Sequence, residues 1–327
     1  MANIALRSPQ FKYKQIPLSG VASTVCQITI DGTLRYTLIK NVRKSTTVNF
    51  DISELARDYL DITYASNYVP QTIAITTTLT NYSGFDATGS VVGSATTFTD
   101  VGFEAYGYFE ENTNPLLPTA AYFISKNTTE DEVQLFLPTT VGITKVPQIA
   151  SGTISVISVS GSATSIGGTY DSKIFRIDCT KYGSGRKIIF INRYGVQQDL
   201  WFFLKETKTL ARRNEGYKAN ILTYPSTNNP ATYSISNAPN KVFNTTAKQT
   251  FTLSSGYYSQ SANNFFEELL LSEYVWLSRT NKVTEADEVV PVKVKKSSIA
   301  FKTSVNDKLI EYTIEFEEAF DYINNIR

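Results

Sequence analysis

Apolar and polar residues alternate with a period of two along most of this chain, and the period lengthens to that of a helix in two places. VCQITI and TLRYTLIK are β-rich runs joined by Asp31-Gly32, a dipeptide that accepts the positive φ of a tight turn, so a hairpin is predicted. FDISELARDYLDITY follows. Asp51 with Glu54 has the form of a capping box, and Ile52, Leu55, Ala56, Tyr59 and Leu60 recur at helical spacing. An amphipathic helix of about two or three turns, packed on a sheet, is expected there.

From Gln71 to Asp100 the chain is rich in Thr, Ser and Gly and nearly free of charge. Its period-two stretches predict strands, with Ile73, Ile75, Leu79, Val91 and Val92 on a buried face. EAYGYFEENTNP reads as an aromatic strand entering a loop, with Phe103, Tyr106, Tyr108 and Phe109 as packing residues. AYFIS, EVQLFLP, GTISVISVSGSATS and KIFRIDCTKYG are short strands between turn signals. KIIFIN and QQDLWFFLK are two more, joined through Asn192, Arg193, Tyr194, Gly195 and Val196. Leu200, Phe202 and Leu204 share one face of the second strand, Trp201 and Phe203 the other, so it is expected to be covered on both sides.

Turns rich in Asn, Pro and Ser occupy 224–240. FTLSSGYY then leads to a second helix carrying Phe265, Phe266, Leu269 and Leu270, and on to the strand EYVWL. EVVPVKV and the alternating run from Leu309 to Phe316 close the pattern. The expected fold is mainly β with two short helices around a β-sandwich or barrel core. Residues 1–69 and 171–327 are expected to form the core, with 70–170 an inserted β-sandwich-like domain. Each helix follows one strand and leads into another, which is the outline of a twofold strand–helix–strand repeat.

Composition narrows the chemistry. Among 327 residues there is no histidine, which removes Ser-His-Asp and Cys-His nucleophiles, HExxH metal sites and imidazole acid–base catalysis together. Lys and Arg number 31 against 30 Asp and Glu, and no polybasic run marks a nucleic-acid surface. Cys26 and Cys179 are far apart and are expected to be buried thiols. No apolar run approaches the length of a membrane span, and MANIALRSPQFKYKQ lacks the parts of a secretion signal, so folding in cytoplasm is expected.

Most carboxylates fall in solvated runs. The pairs that could be imagined across a glycosidase cleft are Glu104 with Glu110 and Asp199 with Glu206, a weaker reading than solvated carboxylates. Gly183-Ser184-Gly185-Arg186-Lys187 lacks the spacing of a phosphate loop. No catalytic residue, metal ligand or cofactor is expected.

Four blocks carry a resemblance. CTKYG with KIIFINRYGVQQDLWFFLK is similar to a recurring pattern in structural proteins of tailed bacteriophages that infect Bacteroidetes, the crAss-like group included. LLLSEYVWL with VPVKVKKSSIAFKTSVNDKLIEYTIEFEEAFDYINNIR resembles the closing segment of the same proteins. DISELARDYLD and AYGYFEE resemble two earlier blocks, and nothing in 116–170 is matched.

The resemblance implies a virion protein of the tail with a tail-tube-like core: a hub, tube-end or baseplate-like component, assembled in the host bacterial cytoplasm. It implies partners in the form of further copies in a closed ring and other tail proteins, with no nucleic-acid recognition and no membrane segment. The matched positions are expected to be structural or interfacial: Asn192, Tyr194 and Gly195 at the turn, Trp201 and Phe202 in the strand, Glu273 and Trp276 after the second helix, Lys308 and Tyr312 near the end. A receptor- or carbohydrate-binding module at the tail tip is the alternative, through stacking aromatics. A wall-degrading glycoside hydrolase comes third.

Overall fold

The computed structural model describes residues 2–17, 19–42, 46–65, 70–107, the strands between 121 and 176, 186–202, 204–224, 230–258, 260, 263–280, 287–295, 300 and 310–320. In chain order the first elements are β1 (Ala2–Ala5), β2 (Phe11–Gln15), β3 (Ser23–Ile30), β4 (Thr33–Asn41), β5 (Thr47–Asp51), α1 (Ser53–Arg57), β6 (Thr72–Tyr82) and β7 (Val91–Phe103). Short strands follow: β8 (Ala121–Lys126), β9 (Asp131–Phe136), β10 (Ile143–Val146), β11 (Ile154–Ile157), β12 (Ser160–Gly161), β13 (Gly168–Thr169) and β14 (Lys173–Arg176). The rest are β15 (Arg186–Ile191), β16 (Gln197–Phe202), β17 (Glu206–Lys218), β18 (Asn240–Tyr258), α2 (Asn263–Leu271), β19 (Val275–Thr280), β20 (Asp287–Val294) and β21 (Ile310–Glu318). The protein is mainly β, with two short α-helices among the described residues.

Two open sheets organise it. A five-stranded sheet has the order β1-β7-β6-β3-β4, and a seven-stranded sheet the order β16-β15-β19-β20-β21-β18-β17. Strands β2 and β5 pair separately, and β8 to β14 form small sheets of two or three strands. The described strands close no barrel.

The β3–β4 hairpin turns through Asp31 at φ 48° and Gly32 at φ 79°, the left-handed pair that Asp-Gly supplies. Asp31 also ties this turn to β6: its carboxylate accepts the Ala74 N–H at 2.9 Å.

The expected boundary at residue 70 is corrected. Strand β6 pairs along its length with β3, and β7 pairs with β6 and with β1, so 72–103 belong to the first sheet and not to an insertion. The Thr-rich composition that looked foreign is the solvated face of an antiparallel strand: Ile73, Ile75 and Leu79 are buried while Thr72 and Ala74 are exposed. Val91, expected inside, is exposed. Glu104 to Gly107 continue as a bend and coil rather than as an aromatic strand, and Tyr108, Phe109 and Glu110 lie outside the described residues.

Helix α1 is also shorter than expected, at five residues. Asp51 sits one position before the N-cap residue Ile52, and its carboxylate accepts the Ser53 N–H at 3.0 Å and the Ser53 hydroxyl at 2.7 Å. Glu54 is exposed and makes no capping bond back to Asp51 among the described contacts.

Two cores share one wall. Ile189 and Ile191 of β15, with Val196 and Trp276, join the core under the first sheet, which includes Ile4, Cys26, Ile28, Phe50, Ile52, Ala56, Ile75 and Leu79. Ile188 and Phe190 of the same strand face the second core with Leu200, Phe202, Phe251, Phe266, Leu269, Ile314 and Phe316. Alternation along β15 thus serves both cores, and this corner of the second sheet is sandwiched between the first sheet and α2. The strand apolar on both faces is the seam of the molecule. Each fully buried Phe or Ile here contributes roughly 1.5–3 kcal/mol of transfer free energy.

The two helices have different settings. Strand β5, before α1, pairs with β2 outside the sheet that holds β6, whereas β18 and β19 on either side of α2 lie in one sheet with β20 and β21 between them.

Candidate assembly surface

The hairpin β17–β18 leaves the body of the protein. Strand β18 pairs with β21 only from Thr250 to Tyr258, while its pairing with β17 runs on to Asn240. Residues 210–218 and 240–249 are consequently a two-stranded ribbon with no third strand beside it among the described residues. Nine residues of ribbon extend about 30 Å at roughly 3.4 Å per residue. Every residue of β17 after Glu206 is exposed. A register shift at Glu215/Gly216 adds twist to its outer part.

A ribbon of two strands is marginally stable alone and needs a covered face. This one instead displays Leu210, Tyr217, Val242 and Phe243 to solvent. Its far end holds one bridge, Thr223 with Thr232, flanked by Leu222, Tyr224 at 68% exposure, Tyr233 at 63% and Ile235 at 95%. Scattered exposed apolar residues are ordinary; a run of them along one projecting ribbon marks a contact surface.

The positions singled out by sequence have other settings. Asn192 is buried and builds the β15–β16 turn: its Oδ1 accepts the N–H groups of Tyr194 at 3.0 Å and Val196 at 3.2 Å, and its Nδ2 donates to Gln198 at 3.2 Å. Gly195 has φ +78°, and a Cβ there would lie 3.0 Å from Cβ of Phe103 and 3.2 Å from the Glu104 nitrogen. The turn therefore docks the second sheet against the end of β7. Tyr194 packs on the first core under the Arg193 guanidinium, 4.5 Å from the ring centroid.

Trp201 and Phe202 are both buried, and Phe202 meets Phe316 and Phe266 edge-on at 5.6 and 6.3 Å. Tyr312 stacks at a tilt 4.7 Å from Phe266 and donates its hydroxyl to Asn263 at 2.9 Å, which anchors the start of α2. Trp276 lies in the first core beside Tyr64 and Tyr274. Glu273 is half exposed and reaches Arg57 at 2.6 Å and Arg7 at 3.3 Å. Lys308 lies outside the described residues. The described positions do not converge on one cleft; they are spread along the two cores and the seam between them.

Sequence reasoning missed two features. One is the ribbon. The other is a charge cluster beneath Glu273, in which the buried Glu104 takes both arms of the Arg57 guanidinium, Nε to Oε2 at 3.0 Å and Nη2 to Oε1 at 2.5 Å. Arg7 approaches the same carboxylate at 3.8 Å. The hydrogen bond to Glu104, foremost, holds the Arg57 pKa above the ordinary guanidinium value against the effect of burial.

Glu104 is therefore a paired carboxylate. Glu206 pairs with Arg186 at 2.6 Å, and the Asp199 side chain lies outside the described residues. Cys26 is buried and free, its thiol pushed up to about 12 mainly by desolvation, and Cys179 lies outside the described residues.

No family model, curated protein or solved structure matches this chain. Among the described residues no three His, Cys, Asp or Glu side chains are grouped as metal ligands, and no helix is long and apolar enough to cross a membrane.

Proposed function

We propose that this protein is a structural component of a bacteriophage tail, a hub, tube-end or baseplate-like ring subunit that works by assembly with further copies and with other tail proteins. The observation that carries the proposal is the β17–β18 ribbon, which exposes Leu210, Tyr217, Val242 and Phe243 on two strands lacking a covering layer. A partner that covers the ribbon supplies the missing layer. The resemblance of the β15–β16 and C-terminal blocks to tail proteins agrees with this, as does a body whose named residues serve packing and ion pairing. The chain acts without catalysis in this reading, within the virion after assembly in the host cytoplasm. Negative-stain microscopy of the purified chain tests it: closed rings are expected, and isolated particles of single-subunit size oppose it.

A receptor- or carbohydrate-binding role is the second reading, favoured by Tyr224 and Tyr233 at the far end of the ribbon. Exposed tyrosines of this kind stack on sugar faces. Replacing both with Ala would then abolish retention on host surface polysaccharide and leave particle size unchanged, whereas the assembly role predicts a change in particle size.

A further inference from the structure

The far end of the ribbon differs from its length in what it displays. Beyond Lys218 the regular pairing stops. The two arms meet again where the Ala219 N–H donates to the Pro239 carbonyl at 2.7 Å, and at the bridge between Thr223 and Thr232. Residues 230–238 are all exposed. A turn among them, closed by the Asn237 N–H on the Ser234 carbonyl at 3.0 Å, puts Ile235 at its first corner position. Turn corners favour Pro, Asp, Asn, Ser or Gly. An isoleucine that is 95% exposed at such a corner serves neither the turn nor the core. Leu222, Tyr224 and Tyr233 are exposed at the same end of the ribbon.

Charge is arranged around this end rather than on one side of it. In the register Lys241 lies opposite Tyr217 and Lys218 opposite Asn240, so the two lysines project from opposite faces at the foot of the tip. Both are exposed. No Asp or Glu stands between Glu215 and Glu267, so the whole tip is free of acids. A flat protein partner would cover one face and leave the lysine of the other face in water. An anionic surface that the tip enters end-on meets both lysines at once and takes up the apolar residues on every side.

We infer that the ribbon tip, bearing Leu222, Tyr224, Tyr233 and Ile235, docks on an anionic lipid surface, with Lys218 and Lys241 as its collar. Ile235 and Leu222 enter the apolar margin of the bilayer. Tyr224 and Tyr233 take the interfacial level, where the ring is buried and the hydroxyl stays wet. The lysine stems lie along that level and their ammonium groups reach lipid phosphates. The tip lies in the interface and does not span it, because irregular backbone such as 219–224 and 230–239 is not tolerated in hydrocarbon. A polysaccharide would occupy the tyrosines but leave the aliphatic corner at Ile235 without a partner. The ribbon below Lys218 stays available for subunit contact, so the inference does not depend on the ring reading.

Flotation of the intact chain with lipid vesicles tests this. The parent should float with vesicles of equal phosphatidylcholine and phosphatidylglycerol, and bind at least about tenfold more weakly to phosphatidylcholine alone. K218E/K241E and Ile235→Glu should each weaken binding to the mixed vesicles by at least about tenfold, with circular dichroism and melting showing that both remain folded. Ile235→Trp places a reporter at the corner: its emission should shift to the blue on adding mixed vesicles and be quenched by brominated lipid. The inference is overturned if the parent does not float, if K218E/K241E floats as the parent does, or if the Ile235→Trp emission stays that of an indole in water. It is equally overturned if the parent is retained on host surface polysaccharide and not on vesicles, or if the variants change particle mass in light scattering while vesicle binding is intact. A parent that floats yet runs as a monomer would support the lipid contact and oppose the ring reading.

Discussion

Arg57 and Glu104 form a two-pronged ion pair, at 3.0 and 2.5 Å, in which the carboxylate is only 2% exposed. The pair joins α1 to the end of β7, and through Glu273 it reaches the turn after α2. It therefore ties the first sheet to the second.

Removing Arg57 leaves the Glu104 carboxylate buried with only Arg7 near it, at 3.8 Å, whereas Arg57 without Glu104 keeps Glu273 at 2.6 Å. Arg57→Met is expected to destabilise the fold by about 3–5 kcal/mol in denaturant titration. The double change of Arg57 and Glu104 to Met should lose less than Arg57→Met alone. Equal losses would show that the pairing is not what stabilises this corner.

Gly195→Ala meets two obstacles at once, a φ of +78° and a Cβ position 3.0 Å from that of Phe103. A loss on the order of 1–3 kcal/mol is expected. Because the turn abuts β7, amide hydrogen exchange should quicken at Phe103 and Glu104 as well as at the turn. A change confined to 192–196 would mean that the turn does not dock the sheets.

Phe202→Ala removes a ring from between Phe316 and Phe266 and should cost about 3–5 kcal/mol, with α2 loosened. Trp201→Ala should likewise reduce stability. Unchanged melting in the Phe202 variant would contradict the second core as described.

Glu268 supplies a pH dependence. Its carboxyl is raised above the ordinary value of 4.5, chiefly by burial, with the Arg193 N–H opposing. The folded state then holds the proton more tightly than the unfolded state. This contribution favours folding below about 4.5 and is lost as pH rises through the raised folded value. Glu268→Gln should flatten the fall in stability across that interval and make the protein more stable at neutral pH. An unaltered pH profile would show that Glu268 ionises normally.

Strands with one buried face were legible in the sequence, because burial writes a period of two: β6 and β21 follow their alternation. The shared wall was legible in part, from apolar residues on both faces of the 186–204 hairpin. The ribbon was not. Strand β17 is exposed on both faces and only Ala247 and Gln249 of the facing segment are buried, so Lys208 to Gln249 mix polar and apolar residues without a period. Arg57 lies 47 residues from Glu104 and 216 from Glu273, and no local pattern foretells such a meeting. The boundary at 70 was misplaced because Thr-rich outward faces resemble a change of domain when composition is read without pairing.

The central claim is that this chain is built to assemble, and its mass in solution tests that most directly. Light scattering coupled to sizing should give a whole multiple of the chain mass, steady across a tenfold dilution at moderate salt, and deletion of 210–249 should reduce it to a single folded chain. A parent chain that runs as a monomer across that range, with a stability unaffected by loss of the ribbon, would contradict the account.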